Sequence, residues 1–249
     1  MKKVFGLIGY PLDHSWSPSC FQQQFQVHGY PDYRYQLFPI ERVESFLPLL
    51  ENIPDLCGLN VTIPYKETII PYLDELDARA AEIGAVNTIL FRGSATGRKL
   101  SGYNTDAEGF MSSADFTGHR SALILGTGGA SRAVSYALRK MGIWHTLVSR
   151  SGALKKAISY EDLDDEMMAT HTLIINTTPL GMYPDEGASP PLPYHLITSR
   201  HFLYDLVYNP EETLFLKEGL KHGARAQSGL KMLHLQAELA FELFVGNDA

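Results

Sequence analysis

Apolar runs of about five to eight residues, separated by polar segments that contain Gly or Pro, recur along the first hundred residues and predict strands. These strands are VFGLI, YRYQLFPI, CGLNVTIP and AVNTILFR. Helix signals lie between them. One helix is predicted to run to Gly29, with Ser17 as its N-cap and Pro18 as its first helical residue. Others are predicted over 41–53 and 66–84, with a bend or division at the internal proline of the first of these two. Such alternation favours an α/β layer with a mostly parallel sheet.

The second half contains one complete strand–helix–strand unit, RSALILGTGGASRAVSYALRKMGIWHTLVSR. THTLIINT and HFLYDLVYN predict two further strands, with a Pro-rich surface loop between them. The apolar residues of SGLKMLHLQAELAFELFVG are dense enough to predict a mostly buried last helix.

Composition places the chain among ordinary globular proteins. It has 249 residues, of which 45% are hydrophobic and 20% charged, so disorder and a coiled coil are excluded as the main architecture. Its formal net charge of −7 argues against nucleic acid or a membrane surface as a partner. Two cysteines make no disulfide framework, which favours the cytoplasm. The N-terminal residues lack the features of a signal peptide, and no apolar run is long enough to span a bilayer.

The segment LILGTGGASRAV predicts a dinucleotide site. Gly126, Gly128 and Gly129 form a turn between a strand and a helix, where backbone N–H groups can approach a pyrophosphate. Ser131 stands at the third position of the usual glycine pattern and is small enough for close helix packing. The alternative is a glycine turn that binds no ligand.

The strand that follows this helix ends without a carboxylate. Ser149, Arg150 and Ser151 stand there, with Lys155 and Lys156 close behind. A carboxylate at this point would favour NAD by binding the ribose 2′-hydroxyl, whereas an arginine can pair with a 2′-phosphate. The sequence therefore favours NADP over NAD. The alternative is a solvated basic edge.

Polar residues cluster where the strands of the first half end, which is the edge where open α/β sheets bind ligands. Their hydroxyl and amide groups suit a polyhydroxylated ligand, with a lysine and an aspartate available for proton chemistry. They are Ser15, Ser17, Asn60, Thr62, Lys66, Asn87 and Asp106. Each also has an ordinary structural interpretation: turn or cap residue, strand residue, solvated lysine, or N-cap.

Eight segments, taken in order, resemble the shikimate dehydrogenase family over nearly the whole chain. They are HSWSP, NVTIPYK, GAVNT, GYNTDAEGF, GTGGASRA, NTTPLGM, YDLVYNP and GLKMLHLQAELAFELFVG. The resemblance implies an α/β fold with a substrate-binding catalytic domain over 1–105, a Rossmann-like NADP domain over 106–226, and a helix over 227–249 that returns to the first domain. It also implies reversible, NADPH-linked reduction of 3-dehydroshikimate to shikimate in aromatic amino-acid biosynthesis.

The resemblance also implies roles for individual residues. Lys66 and Asp106 match the catalytic pair. The residues that match the substrate site are Ser15 and Ser17, which hold a carboxylate, together with Asn60, Thr62, Asn87, Tyr208 and Gln236. The residues that match the cofactor site are Gly126, Thr127, Gly128, Gly129, Ala130, Ser149, Arg150, Ser151, Thr178, Met182, Leu206 and Gly229. No metal is expected.

The chain departs from the family pattern at two places. Phe21 and Gln22 stand where a His-Asn pair is common, which alters how the two serines are supported. The stretch from Gly152 to Met168 is short, so the helix usual there is expected to be abbreviated.

Two alternatives stay open: a relative that also oxidises quinate, with NAD, and a catalytically silent nucleotide-sensing module. The expected partners are small molecules, and the expected assembly is a monomer or homodimer.

Overall fold

A computed structural model describes residues 3–13, 15–93, 97–150 and 157–246. The chain divides into two compact units. The first combines Met1–Asp106 with Gln236–Ala249, and the second is Ala107–Leu235. The N-terminal unit is therefore completed by the end of the chain.

Six strands form the sheet of the first unit, in the order β2-β1-β3-β5-β6-β4. They are β1 (Lys3–Gly9), β2 (Tyr33–Pro39), β3 (Leu56–Val61), β4 (Glu75–Leu76), β5 (Thr88–Arg92) and β6 (Lys99–Tyr103). β1 runs parallel to β2 and β3, but β5 runs antiparallel to both β3 and β6. Five of these six strands share one direction and only β5 runs the other way, so the prediction of a mostly parallel sheet is confirmed for this half. The sequence pattern missed β4 and β6.

The helices of the first unit differ from the prediction at their ends. Helix α1 is Ser17–Val27, and Trp16 occupies the N-cap position without a side-chain capping bond. Ser17 is therefore the first helical residue and Pro18 the second, so the prediction of Ser17 as the cap was wrong. The reason is that Trp16 already adopts a helical backbone, with φ −75° and ψ −21°.

Two predicted long helices are short. The segment 41–53 forms a 3₁₀ turn and then α2 (Phe46–Asn52), so the division falls before Pro48. A proline is tolerated in the first turn of a helix, where N–H groups lack helical partners. The segment 66–84 forms turns, β4 and then α3 (Ala78–Ile83), which is capped by Asp77 and ended by Gly84 at φ +70°.

The strands of the second unit are all parallel, in the order β12-β11-β10-β7-β8-β9. They are β7 (Ser121–Leu125), β8 (Trp144–Ser149), β9 (Ala157–Ser159), β10 (Leu173–Asn176), β11 (Phe202–Asp205) and β12 (Arg225–Gln227). The predicted strand–helix–strand unit is present as β7, α5 (Gly129–Lys140) and β8. The central strands β7, β10 and β11 are almost wholly buried, as expected for a parallel sheet covered on both faces.

Three further helices lie in the second unit, apart from Asp106, the first residue of one of them. They are α4 (Asp106–Ser113), α6 (Asp165–Thr170) and α7 (Leu214–Lys221). Before the six-residue α6, residues 160–162 form only a 3₁₀ turn. The expected abbreviation of a helix within 152–168 falls partly on residues 152–156, which lie outside the described residues.

The last helix, α8 (Leu230–Gly246), begins in the second unit and ends in the first. In the first unit Ala237, Ala240, Phe241 and Phe244 pack in one cluster with aromatic residues of β1, α1 and β2. Its leucines are only half-buried, so the helix is less buried than predicted. Across the part of the chain that the structure describes, no helix combines the length and apolar character needed to cross a membrane.

Candidate active site

Lys66 and Asp106 form an ion pair in the first unit. Lys66 follows the turn after β3, and Asp106 is the first residue of α4. Lys66 Nζ lies 2.7 Å from Asp106 Oδ2, and the two side chains are only 16% and 6% exposed. A nearly buried lysine at this distance from a carboxylate can both hold a proton and keep a fixed direction.

Asn87 links this pair to other polar groups. Its Nδ2 donates to Asp106 Oδ1 at 3.0 Å and to Thr105 Oγ1 at 2.7 Å. The same amide nitrogen lies 3.4 Å from Gln236 Oε1, which α8 brings back to the first unit. Asn87 Oδ1 in turn accepts the backbone N–H of Thr105 at 2.8 Å. Four of the predicted site residues, Lys66, Asp106, Asn87 and Gln236, are therefore joined by side-chain hydrogen bonds.

Asn60 lies on β3 and its side-chain amide is already used inside the protein. Nδ2 donates to the Asn87 carbonyl oxygen at 3.3 Å and to Thr88 Oγ1 at 3.1 Å. Oδ1 accepts the hydroxyl of Tyr35 at 2.7 Å. The backbone carbonyl of Asn87 can only accept a hydrogen bond, so the orientation of the Asn60 amide is fixed with Nδ2 toward it. Asn60 Oδ1 then accepts from Tyr35, whose hydroxyl must be the donor. Thr88 Oγ1 donates onward to Asn87 Oδ1 at 3.2 Å, which connects Asn60 through Asn87 to Asp106 and Lys66.

Tyr35 is a residue of this network that the sequence analysis missed. It is 6% exposed, and its hydroxyl donates to Asn60 Oδ1. Burial raises the pKa of the Tyr35 hydroxyl, so it stays protonated, although the side chain of Ser17 lies near enough to that hydroxyl to lower its pKa in part. Its ring stacks on Phe21 with centroids 4.4 Å apart and an interplanar angle of 6°. Phe21, one of the two residues expected to differ from the resembled family, therefore packs against the ring of Tyr35.

Ser15 and Ser17 lie on either side of the turn at Trp16. The backbone N–H of Ser17 donates to Ser15 Oγ at 3.3 Å, which holds the two residues close together. The helical backbone of Trp16 provides the turn that an extended loop would lack. Thr62 lies just after β3, and its backbone N–H donates to the Ile8 carbonyl oxygen at 2.9 Å. Tyr208, by contrast, belongs to the second unit, in the segment after β11.

The glycine turn of the second unit packs closely against the residues that follow β10. Gly126 adopts φ +112°, and a Cβ there would lie 2.7 Å from Thr177 Oγ1. The Gly126 N–H donates to the Val148 carbonyl oxygen at 2.9 Å, which places the turn beside the end of β8. Gly128, in extended backbone, precedes α5, and a Cβ on it would meet open space. Thr127 lies between them, and Gly129 and Ala130 begin the helix.

The end of β8 has the chemistry of a nucleotide-binding edge. Ser149 Oγ is buried and has no hydrogen-bond partner within the described ranges. Arg150 is exposed, and its charge is felt by the Tyr160 hydroxyl, although burial dominates there and raises the pKa of Tyr160 to about 12. Ser151, also predicted to contact the cofactor, lies outside the described residues, as do Lys155 and Lys156. An orphaned buried hydroxyl beside an exposed arginine fits a phosphorylated ribose.

The remaining predicted cofactor residues follow the carboxyl ends of β10, β11 and β12. Thr178 and Met182 lie in the loop after β10, where Thr178 is half-buried and Met182 is exposed. Leu206 follows β11, and Gly229 precedes α8. A Cβ on Gly229 would clash with the Leu206 carbonyl oxygen, so only glycine fits there. This edge of the sheet is where doubly wound folds bind nucleotides.

Comparison with known proteins decides the family. The family model described as the shikimate dehydrogenase substrate binding domain matches residues 7–89. A shikimate dehydrogenase (NADP(+)) of Methanosphaera stadtmanae is 39% identical, over 98% of this chain and 91% of its own length. This chain belongs to the shikimate dehydrogenase family.

Solved structures of the family share the fold of the whole chain. A shikimate 5-dehydrogenase of Thermus thermophilus, in complex with NADP(H) and shikimate, has a TM-score of 0.84 at 33% identity and covers 98% of this chain and 94% of its own. A quinate dehydrogenase of Corynebacterium glutamicum, in complex with NAD, has a TM-score of 0.84 at 27% identity, with coverages of 98% and 94%. The fold class, an α/β substrate unit with a Rossmann-like unit, is therefore confirmed.

Proposed function

We propose that this chain is an oxidoreductase that interconverts shikimate and 3-dehydroshikimate with NADP. The observation that carries the proposal is the ion pair of Lys66 and Asp106, hydrogen-bonded to Asn87 and nearly buried in a chain of the shikimate dehydrogenase family. Ketone reduction needs a proton donor at the oxygen that gains negative charge, and a positioned lysine can supply it.

The proton chemistry is assigned to Lys66. In the direction of reduction, its ammonium group donates a proton to the oxygen of the former ketone. In the direction of oxidation, the neutral amine accepts the proton of the substrate hydroxyl. Asp106 keeps Lys66 Nζ in place through the 2.7 Å contact, and its second oxygen is held by Asn87. Such fixed positioning removes part of the entropy cost of the reaction.

Substrate binding is assigned to the polar residues of the first unit and to Tyr208. Ser15 and Ser17 would bind the carboxylate, which their closeness permits. Asn87, Thr62 and Gln236 would face the ring hydroxyls. Asn60 would act partly through its fixed hydrogen bonds to Tyr35 and Thr88, because its amide is used by the protein. Its contribution to the site is then the orientation of its neighbours as well as direct contact.

NADP binding is assigned to the second unit. The glycine turn and the start of α5 would hold the pyrophosphate, and Ser149, Arg150 and Ser151 the phosphorylated ribose. Thr178, Met182, Leu206 and Gly229 would contact the nicotinamide half. When bound, this cofactor supplies the two-electron redox chemistry that no side chain can supply. The exposed Arg150, with no carboxylate at the end of β8, supports NADP over NAD.

Two other functions compete with this proposal. An enzyme that also oxidises quinate with NAD is supported by the quinate dehydrogenase of the same fold, at the lower identity of 27%. A catalytically silent nucleotide-sensing module would not need Lys66 and Asp106, and both are present and paired.

We propose further that the enzyme serves aromatic amino-acid biosynthesis in the cytoplasm, as a monomer or homodimer. Neither Cys20 nor Cys57 forms a disulfide, which is consistent with a reducing compartment.

A spectrophotometric assay with four substrate pairs tests the proposal. Shikimate and quinate are each supplied with NADP and with NAD, and formation of the reduced nucleotide is followed. We expect the highest kcat/KM for shikimate with NADP. A higher value for quinate with NAD would replace the proposal by the first alternative. Nucleotide binding without turnover of any pair would favour the sensing module.

A further inference from the structure

Asp205 ends β11 with a fully buried carboxylate that has no part in the chemistry assigned above. Oδ2 accepts the Thr213 hydroxyl at 2.6 Å. Oδ1 accepts two donors, the Val207 backbone N–H at 3.0 Å and Asn176 Nδ2 at 2.9 Å. Three chain segments therefore meet on one side chain: the end of β10, the turn after β11 and the start of α7.

Asn176 carries this contact to the loop after β10. Its Oδ1 accepts both the backbone N–H of Thr178 at 3.0 Å and the Thr178 hydroxyl at 2.6 Å. Its Nδ2 also donates to the Leu180 carbonyl oxygen at 3.3 Å. A backbone N–H can only donate and a carbonyl can only accept, so the orientation of the Asn176 amide is fixed. An acceptor is therefore required at the position of Asp205 Oδ1.

We propose that Asp205 is a positioning residue for the nicotinamide half of NADP, acting through Asn176 on the segment Thr178–Met182. This inference rests on the proposed function, since it assigns that segment to the cofactor. Without the acceptor, Asn176 loses the contact that directs its Oδ1 toward Thr178, and Thr178 loses its fixed place. Gly126 packs against Thr177 and Thr178, but none of the hydrogen bonds described above for Asp205 and Asn176 reaches the glycine turn or Arg150, so the adenosine half is expected to bind as before.

Three variants separate positioning from simple loss of stability. Asp205→Leu removes every acceptor. Asp205→Asn keeps the carbonyl oxygen toward Asn176 and Val207, and its amide can donate to the Thr213 hydroxyl. Thr213→Val is the matched control, because it removes a bond to the same carboxylate, and the cap of α7, without touching Asn176.

Dissociation constants are measured by titration calorimetry for NADP and for adenosine 2′,5′-bisphosphate, which lacks the nicotinamide. We expect Asp205→Leu to weaken NADP about tenfold, the scale of one hydrogen bond to a charged group, while the bisphosphate binds as to the wild type. Asp205→Asn should restore NADP binding to within about threefold. Thr213→Val should lower Tm and leave both dissociation constants unchanged.

Equal weakening of both ligands by Asp205→Leu would overturn the inference, because a damaged fold affects both halves. Unchanged NADP binding would overturn it too. If Asp205→Leu does not fold, Asn176→Ala takes its place and is expected to show the same selective loss. A wild-type chain that binds neither ligand would overturn the proposed function itself, whereas wild-type binding of both with no difference among the variants overturns this inference alone.

Discussion

The ion pair of Lys66 and Asp106 is predicted to stabilise the fold as well as to orient the lysine. At 2.7 Å, two opposite charges attract by about 6 kcal/mol at an effective dielectric constant of about 20. Desolvation offsets most of this, because moving each ion out of water costs several kcal/mol. The net stabilisation that remains is about 2 kcal/mol, as for a hydrogen bond between charged groups.

A double-mutant cycle measures this coupling. Lys66→Met and Asp106→Leu are made singly and together, and the free energy of unfolding is measured in urea. We expect the double variant to lose about 2 kcal/mol less stability than the sum of the losses in the two single variants, and this difference is the coupling energy. The turnover number should follow the same pattern, because residues that act as a unit give non-additive losses. A coupling near zero in stability, or losses of turnover that simply multiply, would refute the claim that the two side chains act as a pair.

Three further predictions concern other parts of the two sites. Tyr35→Phe keeps the stack on Phe21 but leaves Asn60 Oδ1 without its donor; KM for shikimate should rise about five- to tenfold with little change in kcat, since one buried hydrogen bond is lost. The opposite split, a lower kcat at constant KM, would contradict it. Arg150→Ala should weaken NADP by about 1.5–3 kcal/mol and leave NAD nearly unchanged, as measured by equilibrium binding; equal losses would show that Arg150 only supports the fold. Burial raises the pKa of Asp205 from 3.8 to about 6, so its protonated form stabilises the folded state, and this contribution is lost as the pH rises through about 6. The unfolding free energy of the wild type should therefore fall by about 2 kcal/mol relative to Asp205→Asn between pH 4 and 7, at about 1.4 kcal/mol per pKa unit, because at pH 4 this carboxyl is already partly ionised in the unfolded chain. A difference that does not change with pH would refute this assignment.

The strand–turn–helix around Gly126 was predictable because both of its signals are local: an apolar strand and glycines at fixed spacing. The direction of β5 was not, since alternating apolar residues look the same in either direction. The prediction of one helix over 66–84 was wrong because the apolar residues around Pro71 lie in turns that pack on the core. The spacing of apolar residues does not distinguish such turns from a helix.

Among the site residues, Lys66 and Asp106 were predicted as a pair from the family resemblance, because each alone also has an ordinary structural explanation, and their side chains do form an ion pair. Tyr35 could not, because a tyrosine in an alternating strand looks like core, and its link to Ser17 depends on α1 packing over β2. Asp205 was hidden for a similar reason. The sequence around Asp205 predicts a strand followed by a turn. Its hydrogen bonds to Asn176 and Thr213 depend on the folded structure, because these residues lie on separate segments.

Whether Lys66 exchanges the proton with shikimate is tested most directly by comparing the turnover of two lysine variants. Lys66→Ala removes the proposed acid and base, whereas Lys99→Ala removes an exposed lysine of the same unit that pairs with Glu75. With shikimate and NADP at saturation, Lys66→Ala should lower kcat by about 10²–10⁴-fold, the usual range for a general acid–base group. Lys99→Ala should retain the wild-type kcat. Near-normal turnover by Lys66→Ala would contradict the assignment of the proton chemistry to this residue.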